Sequence, residues 1–246
     1  MHTPISQERN DADKAVVFIH GFMGSPDQFA ELAAAVYNSG CSCYCLLLPG
    51  HGAGAREFIK RGIDDWERHL QAEISKVRDK YDKIYLVGHS MGGLLALNAS
   101  LNRENKIAGV FLLSTPLKFN VFSLKSLAAR VRFLAYPKDH EVKAAYHAGN
   151  SLAGASVFAY PLFIKPILHS QKLIRKTKRQ LADVFVPVYM VHSKNDETIS
   201  HKSGAMLYEG LCNTRRTAFS IDRSWHAFYA EEERGVIAEK LVGFIG

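Results

Sequence analysis

An α/β architecture, with a mostly parallel central sheet of about six strands flanked by helices, is predicted by three features of this chain. Short, nearly continuous apolar runs recur along it, as strands buried on both faces require. Stretches of helical period separate these runs. A glycine-flanked serine falls at one of the strand-to-helix junctions. At 246 residues, 47% hydrophobic and 22% charged, the chain can build a large core and lacks the bias of a disordered or fibrous sequence.

Residues 15–19, 43–48, 84–87, 110–113 and 188–191 read as buried strands, and 218–221 as a weaker last one. Between them, residues 65–81 place Trp66, Leu70, Ile74, Val77 and Tyr81 on one stripe with charges opposite, which predicts an amphipathic helix. Residues 28–37, 91–101, 201–211 and 231–244 behave similarly. Strand and helix in alternation imply parallel pairing with right-handed crossovers.

The rhythm breaks after residue 113. Residues 117–181 hold no clear strand but several helical patches, interrupted by Pro137, Pro161 and Pro166, before Pro187 opens the next strand. The expected division is therefore a core from residues 1–116 and 184–246, with residues 117–183 inserted as a helical cap.

Charge is concentrated in that insertion. Residues 117–183 carry twelve Lys or Arg against three Asp or Glu, more than the whole +7 excess of the chain. Lys165, Lys172, Arg175, Lys176, Lys178 and Arg179 follow one another without an acid. Such a run is usually a solvated helix face. The sharper alternative is peripheral contact with anionic lipid or acidic substrate. No nucleic-acid module accompanies the charge, so nucleic acid is not expected as a partner.

Residues 1–14 are polar and charged, without the apolar stretch of a signal peptide, and residues 144–164, though uncharged, contain Gly149, Asn150, Gly154 and Pro161. A cytoplasmic protein is the expectation. Of the four cysteines, Cys41, Cys43 and Cys45 fall at every second position and would share one strand face. Cys212 stands alone, so small apolar packing in a reducing compartment is expected rather than a metal site.

Gly88-His89-Ser90-Met91-Gly92 fits G-x-S-x-G, directly after the strand at 84–87 and before a helix. A turn that sharp strains the central residue, and glycines on either side remove the Cβ atoms that would collide. Ser90 would then stand at the carboxyl edge of the sheet as a nucleophile. It needs a base, and His226 follows the last strand. That histidine needs a carboxylate, and Asp196 follows the strand at 188–191. Glu197 is adjacent and Asp222 lies nearer His226 in sequence, but Asp222 sits at the strand end before the loop, awkward for reaching Nδ1. The backbone N–H groups of Met91 and of Phe22, within His20-Gly21-Phe22-Met23-Gly24, would form the oxyanion hole. His20, His51 and His89 are expected to shape loops near the site.

Together, His20-Gly21-Phe22, Pro49-Gly50-His51-Gly52, Asp64-Asp65-Trp66, Gly88-His89-Ser90-Met91-Gly92-Gly93, Asp196 and His226 resemble the α/β-hydrolase superfamily, most closely its bacterial carboxylesterase and monoacylglycerol lipase branch. The resemblance covers residues 15–113 and 184 to the C-terminus. It implies an α/β-hydrolase fold with a helical cap at the insertion. Because residues 1–13 are polar, it also implies a trimmed sheet lacking the first antiparallel strands.

The expected activity is hydrolysis of short- to medium-chain acyl esters or monoacylglycerols, without metal or organic cofactor. Phe22, Phe158, Tyr160, Leu162 and Phe163 are candidates for an acyl pocket. Thioester, amide or acyl-transfer chemistry would use the same groups, and a ligand-binding protein with vestigial activity would keep the fold.

Overall fold

The computed structural model describes residues 2–119, 128, 131, 135–137, 140–152, 164–200 and 202–246. Its strands are β1 (Ile5–Gln7), β2 (Lys14–Ile19), β3 (Ser42–Leu46), β4 (Lys83–His89), β5 (Ile107–Leu113), β6 (Val188–Ser193) and β7 (Arg216–Ile221). They form one sheet in the order β1-β3-β2-β4-β5-β6-β7. All neighbouring pairs are parallel except β1 with β3.

Each expected strand is present, and the sheet has seven strands rather than about six. The additional one is β1, antiparallel to β3 with Ile5 opposite Cys45. A three-residue edge strand needs only its backbone bonds and one apolar contact, here Ile5 against the core. A polar segment can supply that, so hydropathy gave no sign of it.

Side-chain alternation divides the core into two layers. Val17 and Ile19 face one side with Leu86, Trp66, Leu70 and Leu94, whereas Val16 and Phe18 face the other with Val87, Phe111 and Val191. Helices α3 (Ile63–Arg78) and α4 (Met91–Ser100) cover the first face. Helices α1 (Ala30–Asn38) and α8 (Glu231–Ile245) cover the second. Cys41, Cys43 and Cys45 are buried free thiols in that second layer, where burial raises the thiol pKa of each.

Further α-helices among the described residues are α2 (Ala55–Phe58), α5 (Glu141–Gly149), α6 (Ile164–Gln180) and α7 (Lys202–Gly210). Between β5 and β6 the described chain carries α5 and α6. Leu173 and Ile174 of α6 are buried in the same cluster as Leu94 of α4, and Lys176 pairs with Glu67 of α3 at 2.7 Å. The outer side of α6 exposes Ile164, Ile167 and Leu168 at its start and Lys172, Arg175 and Arg179 further on.

Candidate active site

Ser90 occupies the junction between β4 and α4 with φ 52° and ψ −120°, a left-handed conformation rare for a residue with a Cβ. Crowding enforces it. A Cβ on Gly88 would lie 2.5 Å from the Gly92 carbonyl oxygen, and one on Gly92 would overlap the carbonyl oxygen of Ile19 in β2. The Ser90 N–H donates to the Leu113 carbonyl at 2.8 Å, fastening the elbow to the end of β5.

Two loops at the carboxyl edge of the sheet bring the other groups to this serine. His226 lies after β7, and its Nε2 is 3.0 Å from Ser90 Oγ. Its Nδ1 is 2.8 Å from Asp196 Oδ2, on the loop after β6. A carboxylate only accepts, so Nδ1 carries the proton, Nε2 is the acceptor and the Ser90 hydroxyl donates to it. Asp196 is buried, and its Oδ1 accepts the N–H groups of Thr198 at 2.9 Å and Ile199 at 2.6 Å.

The electrostatics follow from these contacts. Burial alone would raise the Asp196 pKa, but the neighbouring imidazole and the two N–H donors hold it below the usual carboxylate value. Burial alone would lower His226, yet Asp196 and then Glu197 raise it. A hydroxyl bonded to a neutral imidazole whose conjugate acid is stabilised can yield its proton when it attacks an electrophile.

The alternative acids have other partners. Glu197 accepts the backbone N–H of His226 at 3.0 Å through Oε2. Asp222 is exposed, with its N–H on Glu233 at 2.7 Å and its carbonyl taken by Asn195. Glu233 also accepts the N–H groups of Arg223 at 2.9 Å and Ser224 at 2.8 Å, so α8 steadies the loop that leads to His226.

Of the three expected loop histidines, His20 and His89 join separate segments by hydrogen bonds, and His51 bonds within its own loop. His20 donates from Nδ1 to the Gly21 carbonyl at 2.9 Å and accepts the Leu48 N–H at Nε2 at 3.0 Å, tying the loop after β2 to the one after β3. His51 contacts the Leu48 carbonyl at 3.2 Å, while Trp66 Nε1 donates to the Pro49 carbonyl at 3.1 Å. His89 donates from Nε2 to the His226 carbonyl at 2.9 Å. Burial lowers His51 to about 4, and burial followed by the nearby His226 lowers His89 to about 3, which keeps both neutral.

Gly21 lies against the elbow, where a Cβ would come 2.9 Å from that of Ser90, so Phe22 begins a turn directly over the serine. Met91 is the first residue of α4, and its N–H is one of those a helix cannot satisfy internally. A cavity of about 740 Å³ opens from Ser90, His226 and Phe22. Its described walls include Ala144 and Tyr146 of α5, Asn150 just beyond it, the start of α1, Tyr229 and the Arg234 end of α8. Phe158, Tyr160, Leu162 and Phe163 lie outside the described residues. The walls from α5 and α8 were missed in the sequence because they share no motif. Their only signal is the apolar spacing of two ordinary helices.

Strand order, elbow and loop placement define an α/β-hydrolase, and the chain is a lipase-like hydrolase of that fold. It belongs to the family described as serine aminopeptidase, S33, whose model matches residues 10–233. Two curated relatives are a carboxylesterase of Bacillus subtilis (strain 168) and a thermostable monoacylglycerol lipase of Bacillus sp. (strain H-257). The first is 20% identical over 234 residues, covering 95% of this chain and 92% of the relative. The second is 21% identical over 240 residues, covering 93% and 89%. Among solved structures, the monoacylglycerol lipase of Paleococcus ferrophilus superposes with a TM-score of 0.74 at 18% identity, covering 98% of both chains. A structure described under LipS and LipT, two metagenome-derived lipolytic enzymes, gives 0.77 at 22% identity, covering 98% and 96%.

Proposed function

We propose that the protein hydrolyses carboxylic esters through an acyl-enzyme intermediate. The observation that carries this is the unbroken chain from Ser90 Oγ through His226 to Asp196, at 3.0 and 2.8 Å. Ser90 attacks the ester carbonyl as His226 Nε2 takes its proton, and the resulting imidazolium is stabilised by Asp196. The tetrahedral oxyanion is held by the N–H groups of Phe22 and Met91. His226 returns the proton to the leaving alcohol, then activates water to release the acid. Each step uses only groups of this chain.

Short- to medium-chain acyl esters or monoacylglycerols are the proposed substrates. The names of the two Bacillus relatives support this choice, as does a cavity of about 740 Å³, a size suited to a small molecule. The proposed cap spans residues 117–183, within which α5 lines the cavity. The exposed aliphatic and basic side of α6 is the proposed contact with anionic lipid, because opposite charge and aliphatic side chains suit that surface. Buried free thiols at Cys41, Cys43 and Cys45 support a cytoplasmic location.

The test compares wild type with Ser90→Ala on p-nitrophenyl butyrate and a fluorophosphonate. Turnover and covalent labelling by wild type alone are expected. A wild type inert to both probes would favour a ligand-binding protein. Preference for an acyl thioester or an aminoacyl anilide over the ester would reassign the substrate class.

A further inference from the structure

The turn above Ser90 is tied to the segment between β5 and β6. The Met23 carbonyl accepts the Ser151 N–H at 2.9 Å and the Ser151 hydroxyl at 3.2 Å. The backbone bond belongs to an antiparallel bridge that sets Gly24 opposite Asn150. Asn150 Oδ1 accepts the Leu152 N–H at 2.8 Å, which turns the chain so that Leu152 enters the core. Asn150 and Leu152 are both buried. A two-residue strap thus runs from the end of α5 across the turn.

What it grips is a strained segment. The turn closes through Gly24 N–H to the Gly21 carbonyl at 3.0 Å, and Met23 within it has φ 60°. A non-glycine residue there is strained and persists only where its surroundings over-determine it. The side chains of Phe22 and Met23 pack against the core, with the Phe22 ring 5.1 Å from that of Phe58, but these contacts hold the side chains and leave the Met23 carbonyl to be fixed by other groups. The two Ser151 donors fix the Met23 carbonyl, and the N–H bond is the one that sets Gly24 opposite Asn150. With the Met23 carbonyl free, the residue can relax towards negative φ, which turns the Phe22 peptide away from the elbow.

We propose that Ser151 and Asn150 are positioning residues for the oxyanion-binding turn, so that the inserted segment completes the catalytic geometry as well as walling the cavity. This deepens the ester-hydrolase reading and rests on its assignment of the Phe22 N–H. The strap touches neither Ser90 nor His226. Its loss therefore weakens stabilisation of the transition state and leaves ground-state binding nearly intact.

The test compares Ser151→Ala, which keeps the backbone donor, Ser151→Pro, which removes both donors, and Ser151→Thr, which restores the hydroxyl. Removing a whole oxyanion donor costs about 100- to 1000-fold in kcat, so misplacing one should cost Ser151→Pro roughly 10- to 100-fold. Ser151→Ala should lose about threefold and Ser151→Thr should recover it, all with KM within about twofold of wild type. Inhibition by butylboronic acid, which mimics the tetrahedral state, should weaken in step with kcat/KM.

Wild-type kcat in Ser151→Pro, a change confined to KM, or unchanged boronate affinity would each overturn the proposal. If Ser151→Pro fails to fold, the Ala and Thr pair decides by the same readouts. Ser90→Ala in the same assay keeps the two readings apart. Turnover by Ser90→Ala refutes the catalytic assignment, whereas an inert Ser90→Ala beside fully active Ser151 variants refutes only the strap.

Discussion

Asp196 and Glu197, neighbours in sequence, hold His226 at two different atoms: Asp196 accepts the imidazole Nδ1–H at 2.8 Å and Glu197 the backbone N–H at 3.0 Å. One loop therefore sets both the ring and the main chain of the histidine, and His89 secures the carbonyl on its other side at 2.9 Å.

The two carboxylates should separate on substitution. Asp196→Asn removes the charge that stabilises the imidazolium and should lower kcat by about 1000- to 10,000-fold. Glu197→Ala releases the backbone and removes the lesser of the two charges that raise His226, and should cost about 10-fold, since a shift of about 1 Å is enough to slow catalysis severely. Glu197→Gln retains an acceptor oxygen and should fall between Glu197→Ala and wild type. Steady-state kinetics on p-nitrophenyl butyrate distinguish the two ranks.

The acid limb of activity should reflect a raised imidazole. The proposed mechanism needs neutral His226, and the pKa of that ring is lifted by Asp196 against the effect of burial. Activity should therefore be lost, as pH falls, with a midpoint above the ordinary histidine value of about 6.5. In Asp196→Asn the residual activity should show a midpoint displaced to lower pH. The measurement is kcat/KM across pH 5 to 9.

Stability should follow histidines of the opposite kind. Burial lowers His51 and His192 to about 4 and His89 to about 3. The folded state holds these rings neutral, so the unfolded chain binds more protons below about pH 6.5. Their contribution is complete above that value and is lost as pH falls towards 4 and then 3. His226 has the reverse sign: its contribution is full below about pH 6.5 and disappears as pH rises through its raised pKa. Urea titrations should show stability falling between pH 6.5 and 4.5, and His192→Asn should flatten that fall.

Relief of the elbow should stabilise the fold while abolishing activity. Ser90 holds φ 52° with a Cβ attached, a conformation glycine adopts without that strain. Ser90→Gly is expected to gain about 1 kcal/mol, raising Tm by roughly 2–4 °C, with no turnover. A lower Tm would show that the hydroxyl's bond to His226 outweighs the strain.

The outer side of α6 should matter on vesicles alone. Monoacylglycerol turnover on anionic vesicles should fall several-fold between low salt and about 0.5 M, as screening shortens the reach of Lys172, Arg175 and Arg179. Reversing those three charges should remove the salt dependence and leave p-nitrophenyl butyrate hydrolysis unchanged. Salt-independent turnover by wild type would end the lipid assignment.

The parts legible in the sequence are those whose chemistry is local. The apolar run of residues 84–87 and the glycines at 88 and 92 announce an elbow because only that backbone needs both. His226 and Asp196 follow from their places after the last two strands. β1 was hidden because a short edge strand draws on backbone pairing, which leaves no hydropathic trace. Glu197 was visible only as a competitor of Asp196, since a carboxylate bonded to a main-chain N–H carries no side-chain pattern. The cavity walls from α5 and α8 arise from packing between distant segments, and no spacing within either helix reports it.

Asn150 and Ser151 bear on how such chains diversify. A chimera exchanging the span between β5 and β6 inherits new walls for the cavity, but it also replaces the two bonds to Met23. Productive recombination should therefore transfer this pair along with the matching loop after β2. Homologous hybrids that mix the two origins should fold yet turn over slowly until a second mutation restores the fit.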